Sequence, residues 1–187
     1  MNNVRKIAVL VGSLRKESLS RAYANGLIGL APPSLGAEIV EIGALPLYDA
    51  DLDGAAPPPA WTAFRERLRS VDGFLFVTPE YNRSIPAPLK NALDVGSRPY
   101  GQSGWAGRPG AVVSLSPGAL GGFGANHHLR QCLVFLDVPA LAQPEVYLSH
   151  ADKALDGGKI ADPRVREFLA QFMVTFAQWV ESHGRGR

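Results

Sequence analysis

One cysteine, Cys132, stands in a chain of 187 residues, and that scarcity excludes an internal disulfide framework and any metal site built from several thiolates. It falls in the apolar helical stretch LRQCLVFLDV, where a thiol is expected to be core packing rather than a reactive group. Long apolar runs are lacking too: none approaches the ~20 residues that a membrane helix needs. The opening MNNVRK passes straight into the first aliphatic run without the pattern of a secretory leader, so the expected location is cytoplasmic. An excess of one charge is missing as well. With 19 Lys and Arg against 17 Asp and Glu the net charge is +2, and no basic stripe interrupts the scatter, which argues against nucleic acid and for a small-molecule partner. G-x-G-x-x-G, the Walker pattern and the G-x-S-x-G elbow are all absent, weakening dinucleotide-fingerprint, NTPase and serine-hydrolase readings. Of the four histidines, His127 and His128 are adjacent and would point about 100° apart on a helix, not the i, i+4 pair of a helical zinc site. His150 and His183 lack a ligand cluster, so no metal is expected.

What is present describes a folded α/β chain. Apolar residues make up 46% and charged residues 19%, with 20 Gly and 15 Pro, the balance of a turn-rich globular protein. Residues 1–187 are expected to form a single domain, with a frayed GRGR tail. Aliphatic or aromatic runs at 7–11, 37–42, 73–79, 111–117 and about 145–148 predict five strands. Helical spacing predicts helices over about 18–30, 61–70, 88–95, 125–137 and 163–183. Strands alternating with helices imply parallel pairing through right-handed crossovers, hence a three-layer doubly wound sheet of five parallel strands.

In such sheets ligands sit beyond the carboxyl ends of the strands, near the switch in strand order. Three loops leave those ends here, at 12–20, 79–84 and 116–124, and they are expected to converge. The first, GSLRKESLS, turns abruptly from aliphatics to hydroxyls and cations at a helix start. Ser13, Ser18 and Ser20 can donate hydroxyls, Arg15 a charge-assisted bond, and successive amides a nest, which suits a phosphate monoester. Helix capping explains one serine, not three with an arginine. The second loop, TPEYNRSIP, is rigid and carries an aromatic, a setting for a flat heterocycle packed near Pro79, Tyr81 or Ile85. The third, SPGALGGFG, offers bare backbone for close approach. Tyr81, Ile85, Tyr100, Trp105 and Phe123 are expected in loops around the site, more apolar surface than a monomer's ligand mouth shows, so a second subunit is expected to cover part of it.

Taken in order and spacing, GSLRKESLSR, TPEYNRSIPAPLKNALD and HHLRQCLVFLDVPAL resemble the NADPH-dependent FMN reductase family, in particular its NAD(P)H quinone reductase or chromate reductase branch. The resemblance covers about residues 5–150. It implies a flavodoxin-like fold, bound FMN, NADPH or NADH as hydride donor, a homodimer or homotetramer, and reduction of quinones, flavins, azo dyes or chromate. Carried over by motif, Ser13, Arg15, Ser18 and Ser20 would hold the FMN phosphate. Pro79, Glu80, Tyr81 and Asn82 would meet the isoalloxazine, Ser116 would lie beside it, and Tyr81 or water would supply a proton.

Three positions depart from the family pattern. Ser20 stands where asparagine is common, Val95 where tryptophan is frequent, and Gly124 where close relatives of the chromate-reducing type carry arginine. The last removes a cation and favours quinones over anionic acceptors such as chromate. The alternative implied by the same fold is a flavodoxin-like electron carrier or flavin-binding regulator, for which a slightly basic chain lacks the acidic docking face.

Overall fold

β1 (Arg5–Val11) buries every side chain from Ile7 onward in the computed structural model, which describes residues 4–184. β3 (Gly73–Pro79) is buried up to its terminal proline and β4 (Gly110–Leu115) throughout, as continuous apolar runs require when both faces of a sheet are covered. With β2 (Leu35–Ile39) and β5 (Val146–Leu148) they form one sheet in the order β2-β1-β3-β4-β5, every neighbouring pair parallel. That order, 2-1-3-4-5, is the flavodoxin-like one. Five helices complete the layers: α1 (Leu19–Gly29), α2 (Pro59–Arg69), α3 (Ala87–Gly96), α4 (Phe123–Phe135) and α5 (Pro163–Ser182).

Alternation along β1 assigns the layers. Ile7, Val9 and Val11 pack with Tyr23 and Leu27 of α1 and Phe172 and Phe176 of α5, whereas Ala8 and Leu10 pack with residues of α2, α3 and α4. Hence α1 and α5 cover one face and the remaining helices the other. α4 is pinned to the sheet by a buried polar network, in which Asn126 Nδ2 donates to Ser114 Oγ at 3.1 Å and to Val146 O at 3.3 Å.

Several boundaries differ from expectation. β2 ends at Ile39, before the expected run finishes, because after Val40 donates to Val9 O the chain leaves the sheet. Ile42 is buried in the α2–α3–α4 layer, so its apolar character serves the core beneath a loop rather than a strand. Trp105 and Ile85 are also core residues rather than parts of the site mouth. The Trp105 ring centroid lies 4.8 Å from Phe74, and its Nε1 donates to Leu93 O at 3.0 Å. An antiparallel pair, β6 (Leu155–Asp156) and β7 (Lys159–Ile160), is an addition. Its Gly157-Gly158 turn has φ of 53° and 76°, the signature of a two-residue hairpin that the D-G-G-K run already carries. Of the GRGR tail only Gly184 is among the described residues, and its N–H donates to Glu181 O; the fraying expected there falls otherwise outside them.

The long segment 43–58 is anchored rather than loose. The Arg65 guanidinium grips both oxygens of Asp53 at 2.7 and 2.8 Å and donates to Val95 O, while Asn91 accepts from Tyr48 N and donates to Leu45 O and Pro46 O. The Arg65 and Asp53 side chains are 4% and 6% exposed.

Candidate functional site

β1 and β3 are neighbours, yet the chain visits β2 between them on the far side of β1, so the strand order switches at their carboxyl ends. Gly12 N donates to Val77 O at 2.9 Å as the last rung between them. A Cβ at Gly12 would stand 2.6 Å from Thr78 Oγ1, so only glycine lets the first loop leave this closely beside the second. β4 adjoins β3, and the 12–18, 79–86 and 116–122 loops therefore line one end of the sheet side by side, as the sequence leads one to expect.

In the first loop two of the three candidate serines have local duties. Ser18 is the N-cap of α1, its Oγ accepting from Arg21 N at 3.2 Å, and Ser13 Oγ accepts from Arg15 N at 3.4 Å. Ser20 lies inside the first turn of α1 and is only 1% exposed, yet its hydroxyl has no partner among the described residues. No sealed side-chain oxygen or nitrogen goes unpartnered among them, so this hydroxyl is not completely closed off. The amides of Leu14, Lys16 and Glu17 find no acceptor among the described residues, and the first turn of any helix leaves further N–H groups free. Arg15 is exposed, and its guanidinium has no partner among those residues. Arg21, by contrast, is diverted: it grips Glu41 through two bonds of 2.8 and 2.7 Å, which hold the Glu41 carboxyl below the usual carboxylate range. Lys16, not singled out from the sequence, is exposed beside Arg15.

The second loop is a two-residue hairpin. Tyr81 and Ser84 exchange both backbone hydrogen bonds, at 3.0 and 2.9 Å, around Asn82 and Arg83 with φ of 51° and 66°. Consecutive left-handed residues make a type I′ turn, congenial to asparagine and strained for arginine. Tyr81 is 46% exposed and Pro79 partly buried, while the amides of Glu80 and Asn82 find no acceptor among the described residues. The Glu80 carboxylate is committed elsewhere, Oε2 accepting from Ala125 N at the start of α4 at 3.0 Å. Any contact of Glu80 with a ring therefore falls to its backbone. A Cβ on Gly124 would come within 3.0 Å of both Arg83 O and Glu80 Oε2, so the hairpin occupies the space that a side chain there would need.

The third loop turns its carbonyls away. Ser116 O, Pro117 O, Gly118 O and Ala119 O accept from Ala151 N, His150 Nδ1, His150 N and Ser149 Oγ in the segment after β5. Ser116 Oγ donates to Gly118 O at 3.0 Å. The amides of Gly118 and Ala119 are left without an acceptor among the described residues.

This set of donors fits a flavin mononucleotide. A phosphate needs several hydrogen-bond donors and a cation, and the first loop holds three free loop amides, the Ser20 hydroxyl and an unpaired Arg15. A flavin ring presents carbonyl and nitrogen acceptors along its edge, and the next two loops offer free amides at Glu80, Asn82, Gly118 and Ala119.

Comparison with known proteins converges on the same chemistry. The family model for NADPH-dependent FMN reductase matches residues 5–153. A quinone reductase of Pseudomonas putida is 58% identical over 182 residues, 97% of each chain. A 2-hydroxy-1,4-benzoquinone reductase of a Burkholderia species is 47% identical over 176 residues, covering 94% of this chain and 96% of its own. Among solved structures, FerB, a flavoenzyme NAD(P)H:(acceptor) oxidoreductase from Paracoccus denitrificans, superposes with a TM-score of 0.91 at 38% identity, covering 97% of this chain and 100% of its own. With the family model spanning most of the sheet and all three loops, the chain belongs to the NADPH-dependent FMN reductase family and is an oxidoreductase.

Proposed function

We propose that this chain is an FMN-dependent NAD(P)H quinone reductase. The observation that carries the reading is the free donor set of the first loop, with an Arg15 guanidinium unpaired among the described residues, beside two further loops at the same end of the sheet whose amides lack acceptors among those residues. FMN, when bound, supplies the capacity to take a hydride from a nicotinamide and pass it to a quinone. The chain's own residues bind and orient. Arg15, Ser20, Ser13, the capping Ser18 and the nearby amides hold the phosphate; Pro79, Tyr81 and the amides of Glu80 and Asn82 meet the ring; Ser116, bonded to Gly118 O, shapes the third loop beside it. Tyr81 passes a proton from solvent to a reduced acceptor, a role supported by its half-exposed position at the hairpin.

The names of the relatives support quinones as acceptors. Free flavin, azo dyes and chromate are further acceptors to assay, chromate being disfavoured by the missing cation at Gly124. Surface chemistry supports a homodimer or homotetramer. Val134, Phe135 and Tyr100 are 81%, 82% and 87% exposed, and Phe135 rims a cleft of about 350 Å³ between α3 and α4. Apolar exposure of this extent is what a second copy of the chain would cover. A cytoplasmic location is consistent with the described helices, none of which is long and apolar enough to cross a membrane.

The purified protein is expected to show flavin absorbance bands and to oxidise NADH or NADPH rapidly when a quinone is added. The chain carries no nucleotide fingerprint beyond the three loops, so donor and acceptor take turns in one opening. Initial rates at several fixed quinone concentrations then give parallel double-reciprocal lines. Flavin bands without NAD(P)H turnover would establish an electron carrier instead, and intersecting lines would establish separate sites.

A further inference from the structure

Ser84 and His128 are 44 positions apart, yet Ser84 Oγ and His128 Nδ1 meet at 2.7 Å. We infer that His128 is a positioning residue for the flavin: from α4 it straps the 81–84 hairpin in the conformation that presents Tyr81 and Asn82 to the ring. The inference rests on the flavin reading above.

The hairpin needs such a strap. Its root is secured by Ile85, buried in the core, and by Glu80 on the α4 N-terminus. Its tip has two exposed residues in the left-handed region, one of them an arginine, a conformation that persists only when the surroundings over-determine it. Besides an exposed 3.5 Å contact of Arg83 with Glu80, the Ser84–His128 bond is the single side-chain hydrogen bond of residues 81–84 among the described residues. At 2.7 Å it is short for a nitrogen–oxygen pair.

His128 can serve as a fixed reference because α4 cannot slide. Two residues earlier Asn126 is tied to Ser114 of β4 and to Val146 O of β5, and two residues later Arg130 donates to Asn126 Oδ1 and to Leu141 O. The hairpin is thereby referred to the same sheet whose β4 end carries the third loop, so the two loops that face the ring keep a constant spacing. One partner is a hydroxyl that can donate or accept, so either imidazole tautomer sustains the bond.

Riboflavin and FMN affinities, measured by quenching of flavin fluorescence, and the visible circular dichroism of bound flavin test the assignment in the full-length protein. His128→Ala and Ser84→Ala are each expected to weaken both ligands about fivefold, the worth of one ordinary hydrogen bond, and to change the dichroism. The double variant should lose no more than either single one. His128→Asn, whose amide reaches the place of Nδ1, restores the wild-type dichroism. Arg15→Ala serves as the contrast, losing FMN but not riboflavin. Wild-type riboflavin affinity and dichroism in both single variants, or losses that simply add, overturn the strap. A wild-type protein that binds neither flavin overturns the flavin reading itself. Should His128→Ala fail to fold, Ser84→Ala, which removes the other end of the bond, decides alone.

Discussion

Arg15→Ala separates anchoring from folding because the side chain has no partner among the described residues to lose. Its guanidinium is exposed and makes no contact among the described residues, so the thermal midpoint of the flavin-free variant should equal that of the wild type. A hydrogen bond to a charged group is worth about 1.5–3 kcal/mol. Its loss weakens FMN about tenfold to a hundredfold, at about 1.4 kcal/mol per decade, and leaves riboflavin unchanged. Ser20→Ala removes a neutral donor that likewise has no partner among the described residues, so about 0.5–1.5 kcal/mol is at stake, again from FMN alone. Ser18→Ala differs in kind. Its Oγ caps α1, so about 1 kcal/mol of stability goes with it and the midpoint falls by about 2–4 °C. Isothermal titration with FMN and riboflavin, alongside thermal melts of the flavin-free proteins, reads all three variants. Equal losses of FMN and riboflavin on Arg15→Ala would refute the phosphate assignment.

The buried Arg65–Asp53 pair supports a second prediction. Arg65→Met leaves Asp53 as an uncompensated carboxylate beneath one surface loop, costing about 3 kcal/mol and lowering the midpoint by about 6–12 °C, and adding Asp53→Asn should recover most of that in the same melts. The Arg65 guanidinium holds the Asp53 carboxyl below its ordinary value, so the pair's contribution is intact above about pH 4 and is lost as pH falls through the depressed folded value. Acid titration of wild type and double variant should diverge below that pH and nowhere above it. On the surface, Phe135→Asp places a charge on the exposed rim of the α3–α4 cleft. Sedimentation is expected to show the wild type as an oligomer and the variant shifted toward the 20.0 kDa monomer, and a wild type that already sediments as a monomer at micromolar concentration would remove the need for a partner subunit.

Much of the fold is legible because burial on both faces leaves a simple trace. The runs at Ile7–Val11 and Gly73–Pro79 suit interior parallel strands, and the loops that follow them meet because β1 and β3 are neighbours. Ile42 misled for the same reason: an aliphatic under a loop looks like the end of a strand until the layer it packs in is known. Within the site the sequence identifies which residues are chemically able, and the structure shows which are available. Arg21 is as basic as Arg15 but is taken by Glu41, twenty positions on. Glu80 belongs to the motif expected to meet the ring but spends its carboxylate on α4. His128, dismissed as half of an impossible zinc pair, bonds to Ser84 across a separation that no local pattern encodes. Each of these pairings joins elements distant in the chain, and a charge or hydroxyl carries no mark of its partner.

The bond from Ala125 N to Glu80 also settles how the opening is polarised. Both α1 and α4 begin at this end of the sheet, and each helix start carries a partial positive charge. Glu80 sets a full negative charge on the α4 start, while the first turn of α1 contains no acidic residue. Of these two poles, the one at α1 is the one whose first turn carries no carboxylate. A ligand with a charged end and a neutral end is expected to meet less repulsion with its anionic tail toward α1 than toward α4, where the Glu80 carboxylate already stands.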